Sequence, residues 1–257
     1  MPTAAIVPAA GRGERLGPGA PKALREVAGV PLLVHAVRGL CDSGQVDLVV
    51  VAAPPADRAT VERLLRPVVA DVALAVVDGG ETRQQSVAAA LDSLPDDVDA
   101  VLVHDAARAF TPAEVCARVA AAIRAGAEAV VPVLPVADTI KQVSGNTAAS
   151  GASGNTGNTG NTVEATLDRT SLRAVQTPQG FRRDVLVRAH AASAAGATDD
   201  ASLAEALGVV VTVVDGSDEA FKVTRPLDLL LAEALLRARA MSAYDEEPPG
   251  PGAPQAG

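Results

Sequence analysis

The residues best suited to chemistry lie in a glycine-rich, doubly basic stretch that follows an apolar run near the amino terminus. Gly11 and Gly13 lack a Cβ atom, so the backbone there can turn sharply and bring its N–H groups against phosphate oxygens. Arg15 and Lys22 add two positive charges to the same stretch. The combination of backbone amides and cations predicts a loop that binds a triphosphate.

Two known glycine motifs and an ordinary surface turn are the competing interpretations of this loop. In a dinucleotide-binding fingerprint the glycines open a helix, which Pro18 and Pro21 interrupt here. A Walker loop needs Ser or Thr after its lysine, whereas Ala23 follows Lys22. A Gly/Pro surface turn stays open. A binding role is favoured because a loop after the first strand lies at the carboxyl edge of the sheet, where open α/β folds bind ligands.

Aliphatic runs that alternate with amphipathic segments predict the elements that position this loop. Strands are predicted over residues 3–9, 47–53, 72–77, 100–104, 129–134 and 209–214. Helices are predicted over residues 31–43, 56–69, 83–93, 111–125, 183–194, 202–207 and 226–241, with Thr111 as the N-cap of the fourth. The alternation predicts an α/β fold that is Rossmann-like, with a mostly parallel twisted sheet and helices on both faces.

The amino-acid composition argues against some classes of binding partner and indicates the cellular compartment. The net charge of −9 argues against a nucleic-acid or anionic-membrane partner, so an anionic ligand must meet a local basic cluster. Only Lys22, Lys141 and Lys222 are lysines among the 22 basic residues. Cys41 and Cys116 are too few for a disulfide framework, and no signal peptide or membrane span is evident. A cytoplasmic protein is therefore expected.

The chain is predicted to form one domain over residues 1–241 and a disordered tail over residues 242–257, which are rich in Pro, Gly and acidic residues. Residues 145–162 contain Gly-Asn-Thr four times and predict a flexible loop that lacks core-forming side chains. The flanks of this loop, residues 139–143 and 163–167, could pair as a hairpin.

The pattern Pro-Ala-Ala-Gly-x-Gly-x-Arg followed by Pro-Lys resembles that of nucleotidyltransferases that activate sugar and polyol phosphates. Within this superfamily, further blocks are similar to those of the 2-C-methyl-D-erythritol 4-phosphate cytidylyltransferase family. They run in family order over residues 4 to about 236, at residues 78–87, 103–108, 138–141, 166–169, 176–179 and 222–226.

The resemblance implies a Rossmann-like sheet of the nucleotide-diphospho-sugar transferase type with a projecting β-arm, here residues 137–176, that clasps a second subunit of a homodimer. It implies transfer of CMP from CTP to 2-C-methyl-D-erythritol 4-phosphate, which releases pyrophosphate in the non-mevalonate isoprenoid pathway. The expected cofactor is Mg²⁺ or another divalent cation, bound largely through the CTP phosphates. Both reactants are anions, so catalysis depends on charge neutralisation and in-line alignment.

The resemblance also assigns roles to residues of this chain. The catalytic set is Arg15, Lys22, Arg169 and Lys222, with Arg169 supplied by the partner's arm. The CTP-binding set is Ala9, Ala10, Gly11, Gly13, Gly80, Glu81 and Ser86. The second substrate is assigned to Asp105, Ala106, Arg108, Thr139, Thr177, Arg169 and Lys222, and Asp105 is also the candidate metal ligand. His104 is expected to be a packed neighbour. On the residues alone, Ser86 could equally be a helix-surface hydroxyl, and Arg169 could form a surface ion pair.

Three positions depart from the family pattern. Glu81 stands where aspartate is often found, Ala109 replaces a common proline, and Ala220 stands where asparagine is expected near the substrate phosphate. Two other functions remain as alternatives. One is ribitol 5-phosphate cytidylyl transfer, and the other is a non-catalytic nucleotide-binding module.

Overall fold

The computed structural model describes residues 1–11, 20–144, 162–192 and 197–245. Its strands are β1 Thr3–Pro8, β2 Glu26–Val27, β3 Val30–Pro31, β4 Leu48–Ala53, β5 Ala73–Asp78, β6 Ala100–Val103, β7 Ala129–Pro135, β8 Lys141–Val143, β9 Val163–Thr166, β10 Arg173–Val175, β11 Gln179–Arg182 and β12 Val211–Asp215. Its helices are α1 Leu32–Asp42, α2 Arg58–Val69, α3 Arg83–Asp92, α4 Ala113–Arg124, α5 Arg183–Ala192, α6 Asp200–Ala206 and α7 Pro226–Asp245.

Within the described residues, eight strands form one mostly parallel sheet in the order β10, β7, β11, β6, β1, β4 and β5, with β12 paired parallel to β7. The six predicted strands are all present, and their bounds differ from the prediction by two residues at most. β10 and β11 were not predicted. Both run antiparallel to β7, and β11 also pairs with β6, so it joins the two parallel parts of the sheet.

Helices cover both faces of the sheet, which confirms the predicted Rossmann-like α/β fold. Side chains of β1 alternate between the faces, with Ala5 and Val7 in one core and Ala4 and Ile6 in the other. The first core is closed by α1, α2 and α4, and the second by α3, α5 and α6. Continuous aliphatic strands are the expected result of burying a parallel sheet on both faces.

Two helix predictions need correction. α4 begins at Ala113 with Pro112 in the N-cap position, because the Thr111 hydroxyl donates to the carbonyl oxygen of Arg108 and does not cap the helix. α7 continues to Asp245, past the predicted end at residue 241, so the first four residues of the predicted tail are helical. The rest of that tail, residues 246–257, lies outside the described residues. Among the described residues, no helix has the length and apolar content needed to cross a membrane.

The predicted hairpin is confirmed as an antiparallel pair of β8 and β9 that forms a small sheet separate from the main one. Most of its residues are exposed. The loop between the two strands was predicted to be flexible. Residues 145–161 of that loop lie outside the described residues.

Candidate active site

A pocket of about 310 Å³ opens at the carboxyl edge of the parallel strands. Residues directly after β1, β5 and β6 converge there, as the topology of an open α/β sheet requires. The wall is formed by Pro8, Ala9, Ala10, Gly11, Lys22, Ala23, Gly80, Glu81, Thr82, Arg83, Ser86, Asp105, Ala106, Ala107 and Lys222. Lys22 opens a short 3-10 turn, Lys22–Leu24, whose Ala23 is buried in the core below.

The loop after β5 is fixed by its own hydrogen bonds. Thr82 and Gln85 form a reciprocal capping box that starts α3. The Ser86 hydroxyl accepts from the Gly80 N–H at 3.1 Å and donates to the carbonyl oxygen of Thr82 at 2.9 Å. A Cβ atom at Gly79 would lie 2.6 Å from the Cβ of Ala10, so glycine is needed where this loop approaches the loop after β1. Ser86 therefore shapes the pocket wall.

Asp105 is the central charge of the pocket. Its Oδ1 accepts from Arg83 Nε at 3.0 Å, and its Oδ2 lies 2.6 Å from Lys222 Nζ. Burial alone would raise the pKa of Asp105, but the charges of Arg83 and Lys222 outweigh it and hold that pKa well below its usual range. The carboxylate is thus ionised and accepts hydrogen bonds only.

Asp105 does not resemble a ready-made metal ligand, because a cation already engages each of its oxygens. The described part of the chain contains no cluster of three His, Cys, Asp or Glu side chains suited to a metal ion. Glu81 is the other carboxylate of the pocket wall. The residues present fit a cation that arrives with the phosphates and takes at most one or two protein ligands.

Thr177 supports Asp105 from below the pocket wall. Its hydroxyl accepts from the Asp105 N–H at 3.0 Å and lies 3.0 Å from His104 Nδ1. Complete burial lowers the pKa of His104 to about 4, so the imidazole is neutral at neutral pH. His104 therefore acts as a packing and hydrogen-bonding neighbour, as expected.

Arg108 is turned toward the backbone. Its Nη1 donates to the carbonyl oxygen of Ala220 at 2.7 Å and its Nη2 to that of Val175 at 3.0 Å. Burial lowers the pKa of Arg108, and the charge of Asp105 offsets this in part. Ala220, the position where asparagine was expected, is fully buried and contributes its carbonyl oxygen to this contact. Arg108 thus ties β10 to the turn that precedes Lys222.

Comparison with known proteins decides the family. The model of the 2-C-methyl-D-erythritol 4-phosphate cytidylyltransferase family matches residues 3–238. A Streptomyces avermitilis protein of that name is 54% identical over 242 residues, which cover 93% of this chain and 94% of the relative. The chain belongs to this family. It is a nucleotidyltransferase of the methylerythritol phosphate route to isoprenoid precursors.

Solved structures of the family agree with this assignment. The crystal structure of 2-C-methyl-D-erythritol 4-phosphate cytidylyltransferase from Thermus thermophilus is similar with a TM-score of 0.71 and 36% identity, over 92% of this chain and 100% of that one. A synthase from Anaerococcus prevotii gives a TM-score of 0.75 at 25% identity, over 92% of this chain and 98% of that one.

The predicted residues of the cytidylyltransferase site fall into three groups. Those that line the pocket are Ala9, Ala10, Gly11, Lys22, Gly80, Glu81, Ser86, Asp105, Ala106 and Lys222. Those that lie away from its wall are Arg108, Thr139, Thr177 and Arg169. Gly13 and Arg15 lie outside the described residues.

Arg169 and Thr139 belong to the arm of the cytidylyltransferase and are exposed. The Arg169 guanidinium donates to the carbonyl oxygen of Ala137, which is also in the arm. Sequence reasoning assigned no role to Arg83 and did not find Asp200, its second partner. The position of Arg83 at the start of a capped helix after β5 was the one available signal for it.

Proposed function

We propose that this pocket transfers CMP from CTP to 2-C-methyl-D-erythritol 4-phosphate by holding two anions in line. An oxygen of the polyol phosphate forms a bond to the α-phosphorus of CTP. The bond between that phosphorus and its bridging oxygen breaks, and pyrophosphate leaves with the bonding electrons. No covalent intermediate with the protein is needed, so the protein contributes charge and alignment.

One observation carries the proposal: Lys22 and Lys222, which are distant in sequence, line the same pocket in a chain that has three lysines and a net charge of −9. During the transfer, negative charge shifts among the phosphate oxygens. A compact lysine ammonium group can follow that shift more easily than a planar guanidinium group. We assign Lys22, together with Arg15, to the α-phosphate and Lys222 to the phosphate of the polyol. This division agrees with the contact of Lys222 with Asp105, which we assign to the same substrate.

The cytosine and triphosphate are assigned to the loops after β1 and β5. Ala9, Ala10 and Gly11 line the pocket, and the bonds of Ser86 hold Gly80 in place in the loop after β5. Glu81 is exposed at this rim, where its carboxylate could accept from the cytosine amino group.

Asp105 is assigned to the hydroxyl groups of the polyol. Its ionised carboxylate accepts from hydroxyls, and Thr177 and Arg83 fix its direction from two sides. We assign Mg²⁺ to the CTP phosphates, with Glu81 as the candidate protein ligand, and with Asp105 as a ligand only if it gives up one of its cation contacts. When bound, such an ion would neutralise phosphate charge. The residues of the chain meanwhile align the two substrates.

A homodimer is the assembly that best explains the arm. Val143, Val163 and Leu167 are exposed hydrophobic residues on or beside β8 and β9. Apolar groups gathered on a projecting hairpin are typical of a contact surface. Arg169 and Thr139 lie away from the pocket of their own subunit, so we propose that they serve the pocket of the partner.

A cytoplasmic location is also proposed. Cys41 and Cys116 are free thiols. Burial raises the pKa of Cys41 to about 11 and that of Cys116 to about 12, so neither is a reactive thiolate. Two inert thiols and no disulfide between them agree with a reducing compartment.

Pyrophosphate release tests the reaction. The purified protein is supplied with Mg²⁺, CTP and 2-C-methyl-D-erythritol 4-phosphate, and parallel reactions contain ribitol 5-phosphate or another nucleoside triphosphate. We expect release with CTP and methylerythritol phosphate and much slower release in the others. A preference for ribitol phosphate would assign the protein to the alternative cytidylyl transfer. Tight CTP binding without release in any reaction would indicate a non-catalytic module.

A further inference from the structure

A row of alternating charges runs from a buried carboxylate behind the pocket wall into the pocket itself. Asp200, the first residue of α6, is 1% exposed. Its Oδ1 lies 2.9 Å from His190 Nε2, and its Oδ2 lies 2.7 Å from Arg83 Nη1. The other end of Arg83 holds Asp105, which in turn meets Lys222 in the pocket. The row therefore connects α5 and α6 to two residues assigned to the second substrate.

Arg83 can fix Asp105 only if its own side chain is fixed. A free arginine has many rotamers, and their loss opposes any contact that the side chain makes. Carboxylates on two sides of its planar guanidinium select one orientation. Burial lowers the pKa of Arg83, but Asp200 and Asp105 outweigh this effect and raise it, so the charge is permanent. Asp200 thus completes the two-sided grip on Arg83.

Asp200 is itself held by the sheet. The neighbouring Asp199 caps α6 by accepting from the Ser202 N–H at 3.0 Å, and it also accepts from Gln179 Nε2 at 2.7 Å. Gln179 Oε1 accepts from the Ala201 N–H at 3.0 Å. Gln179 belongs to β11 and is 1% exposed. The start of α6 is thereby anchored to the centre of the main sheet, which gives Asp200 a rigid base.

We propose that Asp200 is a positioning residue for the second substrate, acting through Arg83, with His190 holding its other oxygen. The inference rests on the proposed function, because it assumes that Asp105 and Lys222 meet the polyol phosphate. With Asp200 neutral, Arg83 is held at one end, and Asp105 and Lys222 lose their common orientation. The site then aligns the polyol phosphate poorly while it still binds the nucleotide through the loops after β1 and β5.

Asp200→Asn tests this role because it keeps the shape of the side chain and removes its charge. We expect kcat/KM for methylerythritol phosphate to fall by on the order of tenfold to a hundredfold, as misplacement of about 1 Å can cause. The KM for CTP should stay near that of the wild type. Glu205→Gln is the matched control: it neutralises an exposed carboxylate near the other end of the same helix, so its kinetics should match those of the wild type.

A double-mutant cycle with Arg83→Met distinguishes action through Arg83 from general damage to α6. If Asp200 acts through Arg83, Asp200→Asn should cause little further loss in the Arg83→Met background. His190→Gln is a milder change and should also lower kcat/KM for methylerythritol phosphate, but by less than Asp200→Asn. Fold effects that multiply in the double variant, or the same kinetic loss in Glu205→Gln, would overturn the role. So would wild-type kinetics in Asp200→Asn. Wild-type activity in the pyrophosphate assay tests the proposed function separately.

Discussion

Asp105 in the pocket wall and Arg169 in the arm are both charged, but Asp105 is largely buried among several partners whereas Arg169 is exposed. Asp105 is 9% exposed, and it is held by Arg83, Lys222 and the Thr177 hydroxyl. Arg169 is exposed and contacts one carbonyl oxygen of its own arm. Contacts within one subunit therefore fix the orientation of the Asp105 carboxylate, but they fix the Arg169 guanidinium only weakly.

In the proposed homodimer, this difference separates the charges that one subunit fixes by itself from those that the partner subunit would have to fix. Charge in a low-dielectric site is strong and needs little reorganisation during reaction, provided that the fold fixes it. Charge on an exposed hairpin is weakened by water and salt until a second surface covers it. Substitutions in the pocket wall should therefore act within one chain, and the proposed homodimer predicts that substitutions in the arm act on the pocket of the other subunit.

Lys22→Ala is expected to have the largest effect, since it removes one positive charge from the pocket wall. Losing a single preorganised stabiliser of transition-state charge lowers kcat by about a hundredfold or more. Steady-state pyrophosphate release measures the loss. Lys141→Ala is the control, because Lys141 lies in the arm and contacts Thr166. Near-normal turnover of Lys22→Ala would refute the role given to Lys22.

The pH dependence of stability tests the burial of His104, which lies next to Asp105 of the pocket wall. Burial lowers the pKa of His104 from 6.5 to about 4, so the unfolded chain takes up a proton before the folded one. Stability must then fall as the pH decreases from about 6.5 to about 4, and by pH 5 the loss amounts to about 2 kcal/mol.

Denaturant unfolding at pH 7 and pH 5 measures that loss. His104→Gln keeps a side chain that can hydrogen-bond to Thr177 but has no proton to gain, so the stability difference between the two pH values should be smaller in the variant by this amount. Other titrating groups are common to both proteins and cancel in the comparison. Equal pH dependence in the two proteins would mean that His104 is protonated as readily in the folded state as in the unfolded one.

Arg169 tests the other side of the comparison. Arg169→Ala should lower kcat/KM for methylerythritol phosphate by about tenfold, as the loss of one charged contact to a phosphate does. Mixing Arg169→Ala chains with Lys22→Ala chains should restore activity to about a quarter of the wild-type level, because half of the dimers are then mixed and each has one intact site. Absence of rescue after subunit exchange, followed by native mass spectrometry, would show that Arg169 does not act across the dimer.

Sequence patterns predicted the strands whose burial shows in their own residues, and missed strands whose burial depends on distant neighbours. β4 and β6 are aliphatic throughout, and β1 is aliphatic from Ala4 to Val7, because both faces of these strands are covered. β11 was missed because its segment contains Gln, Gly and Arg and has no aliphatic run. Its strand conformation comes from its neighbours β6 and β7, which are distant in sequence, and such tertiary context overrides propensity.

The site was predictable in the same measure. Residues on loops directly after strands were found, since the topology brings these loops to one edge of the sheet. Thr177 and Arg108 matched motifs, but their side chains support the wall of the pocket from behind. The partnership of Arg83 with Asp200 joins two helices through side chains alone, and no spacing within the sequence signals it.

Substitution of Val163 in the arm is expected to have the smallest effect on stability, and it tests the contrast between the exposed arm and the buried sheet. Val163 lies on β9 with 59% exposure, whereas Val101 of β6 is fully buried. Val→Thr exchanges a methyl group for a hydroxyl at nearly constant shape. In Val101→Thr the buried hydroxyl should cost about 1–3 kcal/mol in free energy of unfolding, and in Val163→Thr the change should stay within about 0.5 kcal/mol.

Sedimentation equilibrium of Val163→Thr measures the other half of the same prediction. If the arm packs on a second subunit, the variant should dissociate at a higher protein concentration than the wild type, because an apolar contact of the interface becomes polar. Equal dissociation, together with a loss of unfolding free energy as large as that of Val101→Thr, would mean that the subunit itself covers Val163. In that case the arm would belong to the preformed part of the molecule, as Asp105 does.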